Sequence, residues 1–219
     1  MSSYENGIET KNQILAACRK LFYLKGYDNT TFVDICKEAQ VNQSSIHYHF
    51  KSKERLLQII YGETIQKNNR IAEKYCNRNT LPSTRMMFGG TIYYYKVLHD
   101  EKYRRFNLDA ARLSNSESFD EYVSHTAGPL MQFSDQNVVV LREEAYLELM
   151  TMAAFDKAFL IYVDQNIATM TMERVQRLAF DIHRRIRNIS DEEYTVTQNQ
   201  LAELIKKCKW EELDTTLEP

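Results

Sequence analysis

The sequence predicts an all-α protein in which a small three-helix unit precedes a larger helical bundle. Three observations carry that expectation. Glycine (6) and proline (3) are scarce among 219 residues, which leaves few of the tight turns that hairpins need. Apolar residues recur three and four positions apart along most of the chain, the spacing of one buried helical face. Several of these runs begin at Ser, Thr or Asn, the residues whose side chains satisfy the free N–H groups of a helix start.

The elements follow in order. Thr10 with Gln13 reads as a capping box opening a helix over 10–25, with Ile14, Ala17, Cys18, Leu21 and Phe22 inward and Gly26 as its left-handed end. Thr31 with Asp34 opens a second over 31–39, whose inner face is Phe32, Ile35, Cys36 and Ala39. Asn42 caps a short third helix closed by Phe50. Ser52 caps a fourth, over about 53–77, in which Leu56, Leu57, Ile60, Thr64, Asn68, Ile71, Ala72 and Tyr75 form one stripe. That helix is too long for the small unit and links it to the rest, dividing the chain into 1–52 and 53–219. Gly62 within it is either a flex point or a place of close packing.

Beyond Pro82, helices are expected over 83–99, 101–113, 116–133, 142–165, 171–189 and 198–210. The 142–165 run is apolar nearly all round, so it is covered on most sides. The 171–189 run has one narrow stripe instead (Met172, Val175, Ala179, Ile182, Ile186) opposed by arginines, of which Arg184, Arg185 and Arg187 suit a solvated helix end.

Composition narrows the function. Net charge is −2, which argues against a general nucleic-acid coat, but residues 1–61 carry eight Lys/Arg against six Asp/Glu. That half-hidden positive end permits contact with a polyanion. Cys18, Cys36, Cys76 and Cys208 lie far apart without a CxxC pair and read as reduced packing residues. With no charged-then-apolar leader and no run of roughly 18 apolar residues, the chain is expected in the cytoplasm, without membrane contact. The histidines form no HExxH or Glu-x-x-His pair, the glycines no phosphate loop, and no nucleophile elbow is present. No enzyme, metal or cofactor is expected.

Three short helices at 10–25, 31–39 and 42–50 joined by tight turns suit a helix-turn-helix, in which the third helix enters the major groove of duplex DNA. Gln43 can pair with base edges, and Ser44 and Ser45 allow close approach. Asn42 lies at a positive helix end, while Lys53 and Thr30 or Thr31 can bracket the groove on phosphates. His47 faces outward and His49 packs beside Phe50.

The run Gly26-Tyr27-Asp28-Asn29-Thr30-Thr31, then Ile35, Glu38-Ala39-Gln40-Val41, and Ile46-His47-Tyr48-His49-Phe50-Lys51-Ser52-Lys53-Glu54 resembles the DNA-binding domain of the tetracycline-repressor (TetR) family, as do Ile14, Ala16-Ala17 and Leu21-Phe22 upstream. The resemblance covers about residues 10–60. It implies a homodimeric transcription regulator, by analogy a repressor, released from a palindromic operator by a small-molecule ligand. It also carries a groove-reading role onto Gln43, Ser44, Ser45 and Tyr48. Two departures stand out: Gln40 occupies a turn position that is usually glycine, and His47 and Ser44 replace the family's usual tyrosine and glycine.

For the ligand, Met86-Met87-Phe88 and Tyr93-Tyr94-Tyr95, with Tyr103 and Phe106, offer an adaptable aromatic wall. The expected pocket residues are Met87, Phe88, Tyr93, Tyr94, Phe106, Met150 and Phe155. Gly89-Gly90 permits a kink or a close helix contact. In relatives two long C-terminal helices form the dimer interface, which by position are 142–165 and 171–189, with Met172, Val175, Ala179, Ile182 and Ile186 at the contact. The alternative is a helix-turn-helix dimer with no small-molecule effector, architectural or protein-regulated.

Overall fold

The computed structural model describes residues 3–113 and 140–218; the helix expected over 116–133 lies outside them. The described residues form helices without strands. The first unit holds α1 (Ser3–Lys25), α2 (Phe32–Ala39) and α3 (Gln43–Phe50), and α4 (Lys53–Glu73) leads out of it. The larger unit continues with α5 (Pro82–His99), α6 (Glu101–Leu113) and α7 (Val140–Gln165). A further helical stretch combines α8 (Met172–Val175), a π-helical turn at Gln176–Phe180 and α9 (Asp181–Ile186), before α10 (Asp191–Lys207) ends the helices of more than one turn.

Caps set most of these starts. Thr31 and Asp34 exchange both bonds of a capping box at α2, Asn42 accepts from the Ser45 amide at α3, and Ser52 accepts from the Arg55 amide at α4. The capping box expected at Thr10 does not form. The Thr10 hydroxyl donates instead to the Asn6 carbonyl at 2.8 Å, one turn back, because α1 begins at Ser3 and leaves Thr10 inside the helix. The last helix likewise starts at 191, not 198, because Ser190 caps it through the Glu193 amide. The predicted 171–189 helix is broken by its π-turn, which carries Phe180 to within 3.5 Å of where a Cβ on Gly90 would lie.

One continuous core runs through both units. Ile14, Cys18, Phe22, Ile35, Ile46 and Phe50 fill the first, and Leu56, Leu57 and Ile60 carry the core along α4 into Met87, Phe88, Ile92, Tyr103 and Phe106. Burial pushes the Cys18 thiol up to about 12, so it stays protonated and packs as an apolar group. Of the glycines in question, Gly89 marks a close helix contact, since a Cβ there would come within 2.8 Å of Asn69 Oδ1; Gly62 faces open space. After α10, the chain turns at Trp210–Glu212 and runs back along α4. There Lys67 Nζ donates to Asp214 Oδ2 at 2.6 Å and to the carbonyls of Thr216 and Glu218.

Candidate nucleic-acid interface

The outward face of α3 is built from the inside. Ile46 and Phe50 are buried against α1 and α4, which leaves Asn42, Gln43, Ser44, His47 and Tyr48 on the opposite, exposed side. Tyr48 is 84% exposed, more than any other large apolar side chain among the described residues. Asn42 Oδ1 accepts from the Ser45 amide (2.8 Å) and from the hydroxyls of Ser44 (2.6 Å) and Ser45 (2.9 Å), drawing the first turn together. His47 Nδ1 lies 3.3 Å from the Lys51 carbonyl, a contact that requires a proton on Nδ1. Its Nε2, 3.2 Å from Gln43 Nε2, is then an acceptor, and Gln43 keeps its Oε1 and a second N–H for a base edge.

Two turns fix the angle of this helix. Gln40 adopts φ 55°, ψ 41° between α2 and α3, the left-handed conformation for which glycine is the unstrained choice. Lys51 has φ 60°, ψ −49°, with the Ser52 amide donating to Phe50 O at 2.6 Å. This is the rare, strained form of γ-turn, and it aims Ser52 at the start of α4.

Thr30 and Lys53 require a correction. Thr30 is 1% exposed and its hydroxyl donates to the Gly26 carbonyl at 2.7 Å. Lys53 Nζ donates to the carbonyls of Tyr27 and Thr30, both at 2.9 Å, and sits 4.0 Å above the Tyr27 ring. Both side chains hold the α1–α2 turn in place and so do not grip phosphate in this arrangement. Thr31 is exposed at the α2 N-terminus, its side chain engaged in the cap.

Sequence reasoning missed how the first unit is clasped. Arg105 on α6 donates to the carbonyls of Tyr23 (2.7 Å) and Leu24 (3.2 Å), at the end of α1. The Tyr27 amide donates to Asp109 Oδ2 at 3.3 Å, and the Tyr23 hydroxyl to Asp100 Oδ2 at 2.6 Å. Arg19 and Glu63 add a 2.7 Å ion pair between α1 and α4. Only the fourth helix was expected to join the units; α6 does so through Arg105 and Asp109, with Asp100 just ahead of it.

The expected pocket residues do not form a single wall. Met87 and Phe88 are buried toward α10 and the C-terminal turn, with Phe88 edge-on to Tyr75 and Trp210. Tyr93, Tyr94 and Phe155 belong to a second group linked through Tyr103 and Phe159, and Phe106 is fully buried on α6. Met150 is 42% exposed on the outer side of α7 and so lies outside both groups.

The dimer contact needs the same revision. Val175 and Ala179 are buried within their own subunit, because the stripe they belong to packs inward, α8 lying on α5; Met172, Ile182 and Ile186 are half-buried. A run of exposed apolar residues lies instead on α7: Leu147, Met150, Ala154, Ala158 and Tyr162, spaced three or four apart on one face. The arginines 184 and 185 are engaged locally, with Asp191 and Asp181 respectively, and Arg187 reaches Met152 Sδ.

A short exposed helix, set by a tight turn on a second helix and carried by a long helix into a helical body, is the arrangement of a helix-turn-helix. Residues 14–60, about a fifth of the chain, match the family model of the bacterial regulatory proteins of the tetR family. Among curated proteins, the HTH-type transcriptional regulator TtgR of Pseudomonas putida is 32% identical over 68 residues, 31% of this chain and 32% of TtgR. The matched segment thus spans about a third of that relative's length. IcaR of Staphylococcus epidermidis, a negative transcriptional regulator of the biofilm operon icaADBC, is 24% identical over 172 residues, 71% of this chain and 90% of its own. Among solved structures, the fatty acid degradation regulator FadR of Bacillus halodurans superposes over 80% of this chain and 94% of its own, at 15% identity and a TM-score of 0.49. No helix among the described residues is long and apolar enough to cross a membrane.

Proposed function

We propose that the chain is a homodimeric transcription regulator, residues 1–52 reading a palindromic operator and residues 53–219 sensing a small molecule and holding the dimer together. The observation that carries this reading is the exposed polar face of α3, formed by Gln43, Ser44, His47 and an 84% exposed Tyr48. Exposing so large an aromatic to water brings the isolated chain no burial, whereas a nucleic-acid partner can cover it. Repression is the favoured sense, since IcaR is named a negative regulator.

The exposed α7 stripe supports the dimer: a two-fold partner offering the same face buries five apolar side chains on each side. The two α3 helices then fall about 34–36 Å apart, one turn of DNA. Sensing works through α6, whose Arg105 and Asp109 hold the end of α1. A ligand that favours one position of α6 shifts the reading heads, and a coupling of about 1–3 kcal/mol changes operator affinity roughly 5- to 150-fold.

Selection of duplexes from a random pool by the purified protein tests the proposal. An inverted repeat with half-sites about one turn apart is expected, together with affinity that falls steeply as salt rises. Recovery of no enriched sequence at low salt contradicts it.

A further inference from the structure

Three buried polar side chains meet around Tyr103 with atoms that no group among the described residues satisfies. Lys96 on α5 is 0% exposed, and its Nζ has no hydrogen-bond partner; the nearest aromatic face is that of Tyr103, 5.7 Å to the ring centroid. Asn68 on α4 donates Nδ2 to the Tyr103 hydroxyl at 2.9 Å, which leaves its Oδ1 bare. Asn107 on α6 donates Nδ2 to the Tyr103 carbonyl at 2.7 Å, and its Oδ1 is bare as well. A helix interior can tolerate one such atom; here a cation and two acceptors on three helices beside Tyr103 can serve one polar ligand together.

The charges that Lys96 faces do not neutralise it. Lys67 opposes its positive charge and Asp214 favours it, but these two are already paired at 2.6 Å. Desolvation by burial, followed by Lys67, brings the Lys96 ammonium down to about 8, so most of it is still charged at neutral pH. The surroundings are otherwise aromatic: Tyr93 lies 6.1 Å from Tyr103, and Tyr94, whose hydroxyl is also without a partner, lies 5.0 Å from Tyr93.

We propose that Lys96, Asn68 and Asn107 form the polar end of the effector site, and that the effector is a small organic acid that also carries a hydroxyl or amine. Its carboxylate accepts from Lys96 Nζ, its hydroxyl donates to one of the amide oxygens of Asn68 and Asn107 (an amine donates to both), and its apolar body lies along the tyrosines. This assignment rests on the sensing role proposed above. It also accounts for the transmission, because Tyr103 and Asn107 sit on the same helix as the Arg105 and Asp109 that clasp α1.

The test is calorimetric titration of the intact protein with 4-hydroxybenzoate and with 3-hydroxyoctanoate, each compared with its primary amide. At least one acid is expected to bind once per chain, and its amide about 10- to 100-fold more weakly, the difference a charge-assisted hydrogen bond makes. Lys96→Met is expected to abolish that preference while raising the melting temperature of the unliganded protein, since it removes an unpartnered buried charge. A lysine held for packing alone gives a lower melting temperature instead. Lys96→Gln, which keeps a polar chain of similar length, serves as the second variant and is expected to lose the preference too. Absence of binding by both acids, equal binding of acid and amide, or undiminished acid binding by the variants overturns the assignment. Duplex binding by the unliganded protein, measured alongside, separates the two readings: retained DNA binding with no acid response defeats only this inference, whereas loss of DNA binding defeats the regulator.

Discussion

At Gln40 the backbone holds φ 55°, ψ 41°, a conformation that crowds the Cβ of any L-residue against its own carbonyl. The chain accepts that strain because the turn sets α3 across α2. Gln40→Gly is expected to stabilise the protein by roughly 0.5–1 kcal/mol, the relief of the left-handed strain less the extra chain entropy of glycine. Chemical denaturation checks it, and a lower midpoint in the variant is the contrary result. Lys96 gives a second prediction. Its folded pKa lies below that of the unfolded chain, about 8 against 10.5, so between those values unfolding takes up a proton and stability climbs with pH. Below about pH 8 both states are protonated and the desolvation penalty is present in full. The stability gap between Lys96→Met and the unaltered protein is therefore widest below pH 8, on the order of 3 kcal/mol, and closes toward pH 10. Parallel denaturation series at pH 7 and pH 9.5 measure the gap; one that does not change with pH contradicts the prediction.

Elements were legible in the sequence where a local signal decides them. Thr31 with Asp34, Asn42 and Ser52 each cap the helix their spacing indicated, because a cap needs only neighbours in sequence. The same rule misplaced the first start, since Thr10 sits in a run that is helical on both sides and its hydroxyl turns back to Asn6. Orientation between elements was not legible. The stripe from Met172 to Ile186 was visible as apolar, yet no periodicity says whether such a stripe faces its own subunit or another, and it faces its own. Lys53 likewise read as a phosphate contact from its position, whereas two carbonyls twenty-odd residues upstream claim it. Asn42 joins the α3 cap to the proposed interface. Asn42→Ala removes the acceptor shared by three donors at the start of α3 and is expected to cost about 1 kcal/mol of stability. Operator affinity is expected to fall with it; binding isotherms at matched folded fraction check this, and unchanged affinity is the opposing outcome.

For the whole molecule, the fold class was apparent from periodicity along most of the chain, and the helix-turn-helix from the first quarter, because its residues lie close in sequence. The proposed effector site was apparent only in part. Its aromatic residues were visible as a cluster, but nothing in the sequence singles out Lys96, which packing between helices buries with Asn68 and Asn107. The α7 stripe carries a prediction about assembly. Ala158→Glu places a charge in the middle of the exposed apolar face, and light scattering after gel filtration is expected to show a dimer becoming a monomer. A variant that stays dimeric puts the interface elsewhere.

The central claim is that α3 reads DNA through its free polar face. Fluorescence anisotropy of the selected operator, titrated with the unaltered protein and with Gln43→Ala, tests it most directly. Loss of one base-edge contact is expected to cost about 1–3 kcal/mol and to relax the preference at one position in each half-site. Equal affinity and equal sequence preference in the two proteins contradict the claim.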